Sequence, residues 1–428
     1  MTARASFWSD VRWQAFGNTL AQAVGVLGMP LLTRLYSPAD FAAQTVFLQF
    51  VMFFAGVMTC RFEYFVQLPK SDSEALGLMR LTWLLAAITC ILLTPLTWLV
   101  TPLFSMDAGQ VKWLWLSPLT AALISLSFAH QHWTQRQGQF KLSGAGEVVA
   151  KLAYVATGVV IAMMGGGAVG LIVTIAAAAA AKLLLHVMGG RASRKAARES
   201  SGTPRAMQAA RRHAGHAVSM VGSHLLGTVT SMVPILFVGG FYGASTLGQY
   251  GLVTATIFLP AGLIGGAIGQ VYYQRAAALW SGGASFAALW GETFKRLSLM
   301  GLPAYVLIAV LAPRAYPVIF GDAWHAAGEY AAWMSVAAFF SFITAPMDRS
   351  SLIVGRLRYL PVWHAARAIS LLVVIALAWS LALPFQTFLV LLVLQMSALY
   401  AVDLMAERRF SRMHPLAPTT HEIAAASL

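Results

Sequence analysis

Apolar residues run along this chain in long blocks separated by short polar breaks. A helix needs about 20 mainly apolar residues to cross a hydrocarbon core. Twelve blocks meet that length: 13–35, 41–62, 76–101, 112–135, 147–165, 168–188, 216–240, 247–274, 294–313, 327–353, 360–382 and 384–406. Several contain Gly or Pro, which membrane helices tolerate because neighbouring groups take up the freed backbone hydrogen bonds. The pattern predicts an all-α integral membrane protein of about 12 transmembrane helices, with little mass outside the bilayer.

The charges test that count. With the N-terminus in the cytoplasm, nearly all of the 29 Lys and Arg fall on the cytoplasmic side. Only Arg34, Lys112 and Arg314 fall on the other. One missed span would invert everything after it, so this asymmetry supports both the count and cytoplasmic N- and C-termini. The most basic break is a central loop near 189–215. It carries Arg191, Arg194, Lys195, Arg198, Arg205, Arg211 and Arg212, with Lys182 grouped beside them. It divides the spans six and six. The domains expected are an N-terminal six-helix lobe (1–188), a basic cytoplasmic linker (189–215), a C-terminal six-helix lobe (216–406) and a cytoplasmic tail (407–428). Equal halves suggest two pseudo-symmetric lobes around a central cavity. Pro30 and Pro234 are each read as ending a span before a Tyr-containing turn. Span 1 places Gln14, Asn18, Gln22 and Gly25 on one helical face, and span 7 places Ser219, Ser223, Gly227 and Thr230 at the same mutual spacing. Such residues either glue helices together or line a cavity; of these, Gln14, Asn18, Gln22, Ser219 and Ser223 are the cavity-lining candidates.

Composition agrees. Of 428 residues 58% are hydrophobic and 10% charged, against about 25% charged in soluble domains. The mean hydropathy is +0.70. A net charge of +14 invites a nucleic-acid reading, but the basic residues sit in short breaks between apolar runs rather than on a soluble face. Cys60 and Cys90 belong to no metal or disulfide pattern, and both are expected to be small buried packing residues. The first apolar run lacks a small-residue cleavage site and is read as a span rather than a signal peptide. The interlocked Gly262/Gly266 and Gly265/Gly269 spacings in span 8 fit close helix packing.

Enzymatic signatures are absent: no Walker A loop, HExxH, GxSxG or EF-hand loop. The one formal GxGxxG, Gly165–Gly170, lies between apolar spans, with Leu185 where a dinucleotide site wants an acid. It reads as a tight turn. No cofactor or metal is expected. Functional candidates are therefore charges at the span ends. Arg61, Arg136, Lys151, Arg275 and Arg349 are candidates for a phosphate-bearing substrate. Glu63, Glu147, Asp348 and Asp403 are candidates for pairing with those cations or for coupling to H⁺ or Na⁺. Snorkelling and topology-setting charge are the competing account of each cation.

Four segments resemble the polysaccharide flippases of the multidrug/oligosaccharidyl-lipid/polysaccharide exporter superfamily, which includes the O-antigen translocases. They are Leu32–Phe41 (LTRLYSPADF), Arg61–Pro69 (RFEYFVQLP), Ile268–Ala276 (IGQVYYQRA) and Phe320–Tyr330 (FGDAWHAAGEY). The resemblance implies movement of an undecaprenyl-diphosphate-linked oligosaccharide (an O-antigen, capsule or exopolysaccharide repeat unit) from the inner to the outer leaflet of a bacterial cytoplasmic membrane, by ion-coupled alternating access. The partners implied are that glycan, the lipid bilayer, a polysaccharide polymerase and a chain-length regulator. A drug antiporter of the same superfamily, or a membrane enzyme of glycan polymerisation, stays open as the alternative.

Overall fold

The computed structural model describes residues 2–101, 108–201 and 206–414. Arg205, in the expected linker, and 415–428, in the expected tail, lie outside the described residues. Every regular element among the described residues is helical. The α-helices, in order, are α1 Thr2–Leu35, α2 Pro38–Val57, α3 Asp72–Val100, α4 Ala108–Val111, α5 Ser117–Arg136, α6 Phe140–Met163, α7 Gly167–Gly189, α8 Arg191–Ser201, α9 Ala206–Phe241, α10 Ala244–Ile257, α11 Leu259–Ser281, α12 Ala287–Phe320, α13 His325–Thr344, α14 Ser350–Ile353, α15 Tyr359–Ser380 and α16 Phe385–Ser411.

Eleven helical spans among the described residues are long and apolar enough to cross a membrane, and each matches a predicted block. The remaining block is α5. It carries Ser117, Thr120, Ser125, Ser127, His130, Gln131 and Thr134, all buried. Its neighbours are α2, α3, α6 and α7, so it faces protein and its low hydropathy is what that position requires. The protein is a multi-pass membrane protein.

Its surface inverts the soluble pattern. Leu27, Ile91, Met163, Val218 and Trp379 are each at least two-thirds exposed, while Thr59, Ser117, Thr134, Ser143 and His186 are fully buried. Apolar side chains cost nothing against lipid, whereas polar ones must find partners inside.

Contacts group the chain into two compact units, Met1–Gly251 with Ile319–Ala323, and Leu252–Val318 with Trp324–Leu428. In the first, α1 lies along α6, α6 along α7, and α2 is held by α5, α7 and α9. The α1–α6 crossing is set by two glycines. A Cβ on Gly17 would sit 2.5 Å from Gly144 Cα, and one on Gly144 would sit 2.9 Å from the Trp13 carbonyl oxygen. In the second unit α16 packs on α13, α14 and α15, and α11 packs on α13 and α14.

Several local expectations change. Pro30 and Pro234 lie inside α1 and α9 and end neither. The central loop is largely helical, forming α8 and the start of α9. Lys182 is not part of it but sits buried in α7. Cys60 is exposed. Of the interlocked glycines, Gly265 and Gly269 pack on Ala345 and Pro346, while Gly262 and Gly266 face open space. Only one of the two spacings is a packing seam.

Replacing Gly17 with Ala forces backbone apart at the α1–α6 crossing and should cost about 1–3 kcal/mol. The expected readout is a lower thermal midpoint for the purified protein. Gly222→Ala, where an added Cβ would meet no atom beyond its own stretch of helix within 4 Å, should leave that midpoint unchanged or slightly raised.

Candidate functional site

Some of the sequence candidates fall into two groups in the first unit; the others stand more openly there or lie in the second unit. The first group is built on the turn after α2. The chain leaves the helix through Cys60 and Arg61, with φ of 49° and 64°. Two successive non-glycine residues in the left-handed region cost of order 1–3 kcal/mol each, so the surrounding contacts must hold them. Thr59 donates to the buried Glu63 carboxylate. Arg61 Nη1 lies 3.5 Å from Glu63 Oε1 and donates to Tyr64 Oη at 3.3 Å, with its guanidinium 5.2 Å from the Tyr64 ring centre. His132 Nδ1 lies 2.8 Å from the Glu63 carbonyl oxygen. A carbonyl only accepts, so Nδ1 carries the proton. Burial pushes the Glu63 carboxyl above its ordinary pKa, against the lowering pull of Thr59 and Arg61.

Arg136 closes the same turn. Its Nε donates to Asp72 Oδ1 at 2.9 Å, and its Nη1 to the carbonyls of Gln67 and Pro69 at 3.1 and 2.7 Å. These bonds pin the end of α5 to the start of α3. Around them pack Phe62, Phe65, Val66, Leu76, Met79 and Trp133, joined by Ala197 of α8 and Ala217 of α9.

The second group lies between α5, α6 and α7. Lys182 Nζ reaches Glu147 Oε1 at 2.7 Å, and Gln131 Nε2 donates to the same oxygen at 2.9 Å. The Lys182 ammonium also lies 4.6 Å from the Phe128 ring centre. Glu147 was expected to pair with a substrate-binding cation; it pairs with Lys182, which sequence reasoning had grouped with the basic loop. The signal was there: a lysine directly after the Ala176–Ala181 run, in mid-span. Arg194 of α8 donates to the carbonyls of His186 and Val187, which satisfies the C-terminal end of α7.

Other candidates are more open. Lys151 is exposed on α6, with its stem against Gly25 of α1. Gln14 Nε2 donates to Asn18 Oδ1 at 3.0 Å, and Gln22 is half-buried one turn on. On α9, Ser219 and Ser223 are exposed, and Ser223 bonds back to the Ser219 carbonyl. In the second unit Arg275 is exposed on α11. Arg349 is exposed, 4.0 Å from Asp348 and 5.9 Å from the Tyr273 ring centre. Asp403 is buried and accepts from Tyr359 Oη at 2.6 Å. One turn further, Glu407 is fully buried, within electrostatic reach of Asp403 and Asp348. Sequence reasoning missed Glu407, since it reads as one more polar residue at a helix end.

The family model for "Polysaccharide biosynthesis protein" matches residues 31–329. The chain belongs to that family. Its fold is also that of solved transporters. It is similar to a lipid II flippase, MurJ, in an inward closed conformation, at a TM-score of 0.68 and 12% identity, covering 93% of this chain and 87% of that one. It is similar to an inward-facing multidrug resistance MATE family transporter of the MOP superfamily, at 0.63 and 13%, covering 92% and 94%. A search of the curated proteins finds no match.

Two outcomes follow from this geometry. Glu147→Gln leaves the buried Lys182 without its partner and should destabilise the protein by about 3–5 kcal/mol, whereas Lys182→Met leaves a carboxylate that is 30% exposed and should cost less. The double variant should recover most of that loss in a thermal or denaturant unfolding assay. Glu63 gives a pH dependence. Its folded pKa is raised, so its contribution to stability is complete below the ordinary glutamate pKa and is lost as pH rises through the raised value. Glu63→Gln should flatten that decline when unfolding midpoints are compared across pH; an unchanged slope would show that other groups cause it.

Proposed function

We propose that this protein is a flippase that moves an undecaprenyl-diphosphate-linked oligosaccharide from the inner to the outer leaflet of a bacterial cytoplasmic membrane. The observation that carries the reading is the polysaccharide-biosynthesis family match over 31–329 on a fold similar to a lipid II flippase. The physical need is plain. A diphosphate and a glycan cannot enter hydrocarbon unaided, because burying unpaired charge is costly. A path lined with cations and small polar groups lowers that barrier while the lipid tail stays in the bilayer.

On this reading the cations with donors to spare meet the diphosphate: Arg61, Lys151, Arg275 and Arg349. Arg136 serves the site by holding the turn that presents Arg61. Gln14, Asn18, Gln22, Ser219 and Ser223 offer hydrogen bonds to the glycan. The halves 1–188 and 216–406, joined through 189–215, alternate in access, with the termini cytoplasmic and no enzymatic step. Glu63, Asp348 and Asp403 are the groups through which H⁺ or Na⁺ would couple. A glycan polymerase and a chain-length regulator are the partners that would use the product. A small-molecule cation antiporter is the second reading, favoured by the acidic group at Asp348, Asp403 and Glu407.

In a deletion strain of the source organism, surface polysaccharide should be lost while complete lipid-linked repeat units accumulate facing the cytoplasm. Complementation with Arg61→Ala or Arg275→Ala should restore protein level but lower export by at least about tenfold, the effect of losing about 1.4 kcal/mol of binding. Repeat units that reach the outer leaflet and fail to polymerise would sink the flippase reading in favour of a polymerising enzyme. Normal glycan with altered drug resistance would favour the antiporter.

A further inference from the structure

In the second unit a groove of about 970 Å³ lies between the α14–α15 turn and the last turns of α16. Its rim is cationic. Arg356 and Arg358 come from the turn, and Arg409 from α16. All three are exposed, none has an ion-pair partner among the described residues, and no acid lines the groove. Its walls are apolar: Leu357, Val402 and Met405 are 63%, 50% and 64% exposed.

The turn is held in shape. Gly355 has φ of +73°, a conformation that side chains resist. Gly355 N–H donates to the Leu352 carbonyl at 3.2 Å, Arg356 N–H to the Ser351 carbonyl at 2.8 Å, and Tyr359 N–H to the Arg356 carbonyl at 3.0 Å. The floor is held too. The Tyr359 hydroxyl is fixed by Asp403, and its ring meets Phe410 edge-on at 5.1 Å. The arginines therefore project from a fixed frame rather than a loose loop.

The groove sits where two membrane spans end, since α15 begins at Tyr359 and α16 finishes at Ser411. At that level hydrocarbon gives way to headgroups, and Tyr and Trp collect there; Tyr359 and Trp363 stack at 6.3 Å. We infer that this groove binds an anionic phospholipid of the surrounding bilayer, its phosphate among Arg356, Arg358 and Arg409 and its first acyl carbons along Val402 and Met405. Charge complementarity argues for the phosphate, because guanidinium forks match its oxygens. The exposed apolar walls argue for a lipid over a soluble phosphate. The exposure of Val402 and Met405 argues for a lipid drawn from the bilayer itself.

The test uses the full-length protein, purified in detergent and examined by native mass spectrometry with added phosphatidylglycerol, phosphatidylcholine, undecaprenyl phosphate or inorganic phosphate. Wild type should hold one phosphatidylglycerol at least about tenfold more tightly than the Arg356→Gln/Arg358→Gln/Arg409→Gln variant. Phosphatidylcholine should bind no better to wild type than to that variant. The Arg191→Gln/Lys195→Gln/Arg198→Gln variant, with the same charge removed from α8, should keep the lipid. Equal retention by the groove variant, equal loss in the α8 variant, or equal binding of phosphatidylcholine would overturn the site. Preferential capture of undecaprenyl phosphate, or of phosphate alone, would overturn the bilayer-lipid assignment. Should the groove variant fail to fold, wild type and Met405→Trp decide. Binding to wild type should weaken as salt rises, and the bulky indole should displace the lipid with all three arginines in place. A salt-independent, Trp-insensitive lipid would be bound elsewhere.

Discussion

Hydrocarbon offers no hydrogen bonds, and that one property organises this molecule. Every backbone group must be satisfied within its own helix or by a neighbour, and the described residues are accordingly helical wherever they are regular. The same constraint sorts the side chains. Leucine, valine and methionine face outward at many positions, while polar side chains such as Thr59, Ser117, Thr134, Ser143 and His186 turn in. In α5 the polar residues are numerous enough that only a position enclosed by other helices is open to it, and α2, α3, α6 and α7 enclose it.

The ionisable groups follow the same logic at higher stakes. Lys182 and Glu147 are tolerable because they meet at 2.7 Å with Gln131 adding a third partner. Arg136 is tolerable because it is spent on a carboxylate and two carbonyls. A cation so consumed positions a turn; a cation with free donors can meet a substrate. This distinction divides the candidates more usefully than their place in the sequence does. It leaves Arg61 in an intermediate state, held by Glu63 and Tyr64 yet presented by a strained stretch of backbone that relaxation could move.

Membership in the polysaccharide-biosynthesis family and a fold similar to those of solved transporters agree with the proposed flippase role, and the helical body carries exposed cations at its span ends. The groove beside α16 adds a second use of the same principle. Guanidinium groups at the end of a span face both headgroups and apolar walls, and an amphiphile satisfies both at once.

Much was legible in the residues themselves. Block length and hydropathy determine that the chain spans a membrane many times, and the placement of Lys and Arg relative to those blocks constrains how it is threaded, because both depend on composition within one helix. The capping box at Ser37 and Asp40 is local for the same reason. Which helix is enclosed, which cation is already paired and which glycine touches a neighbour depend on residues far apart in sequence. Lys182 looked like a loop charge until Glu147, 35 residues away, was beside it. Pro30 and Pro234 looked like helix ends until the helices were seen to continue past them. Pairing and enclosure are properties of the packed molecule, since the partner that makes a buried charge affordable comes from another helix, and only the tertiary structure decided which one.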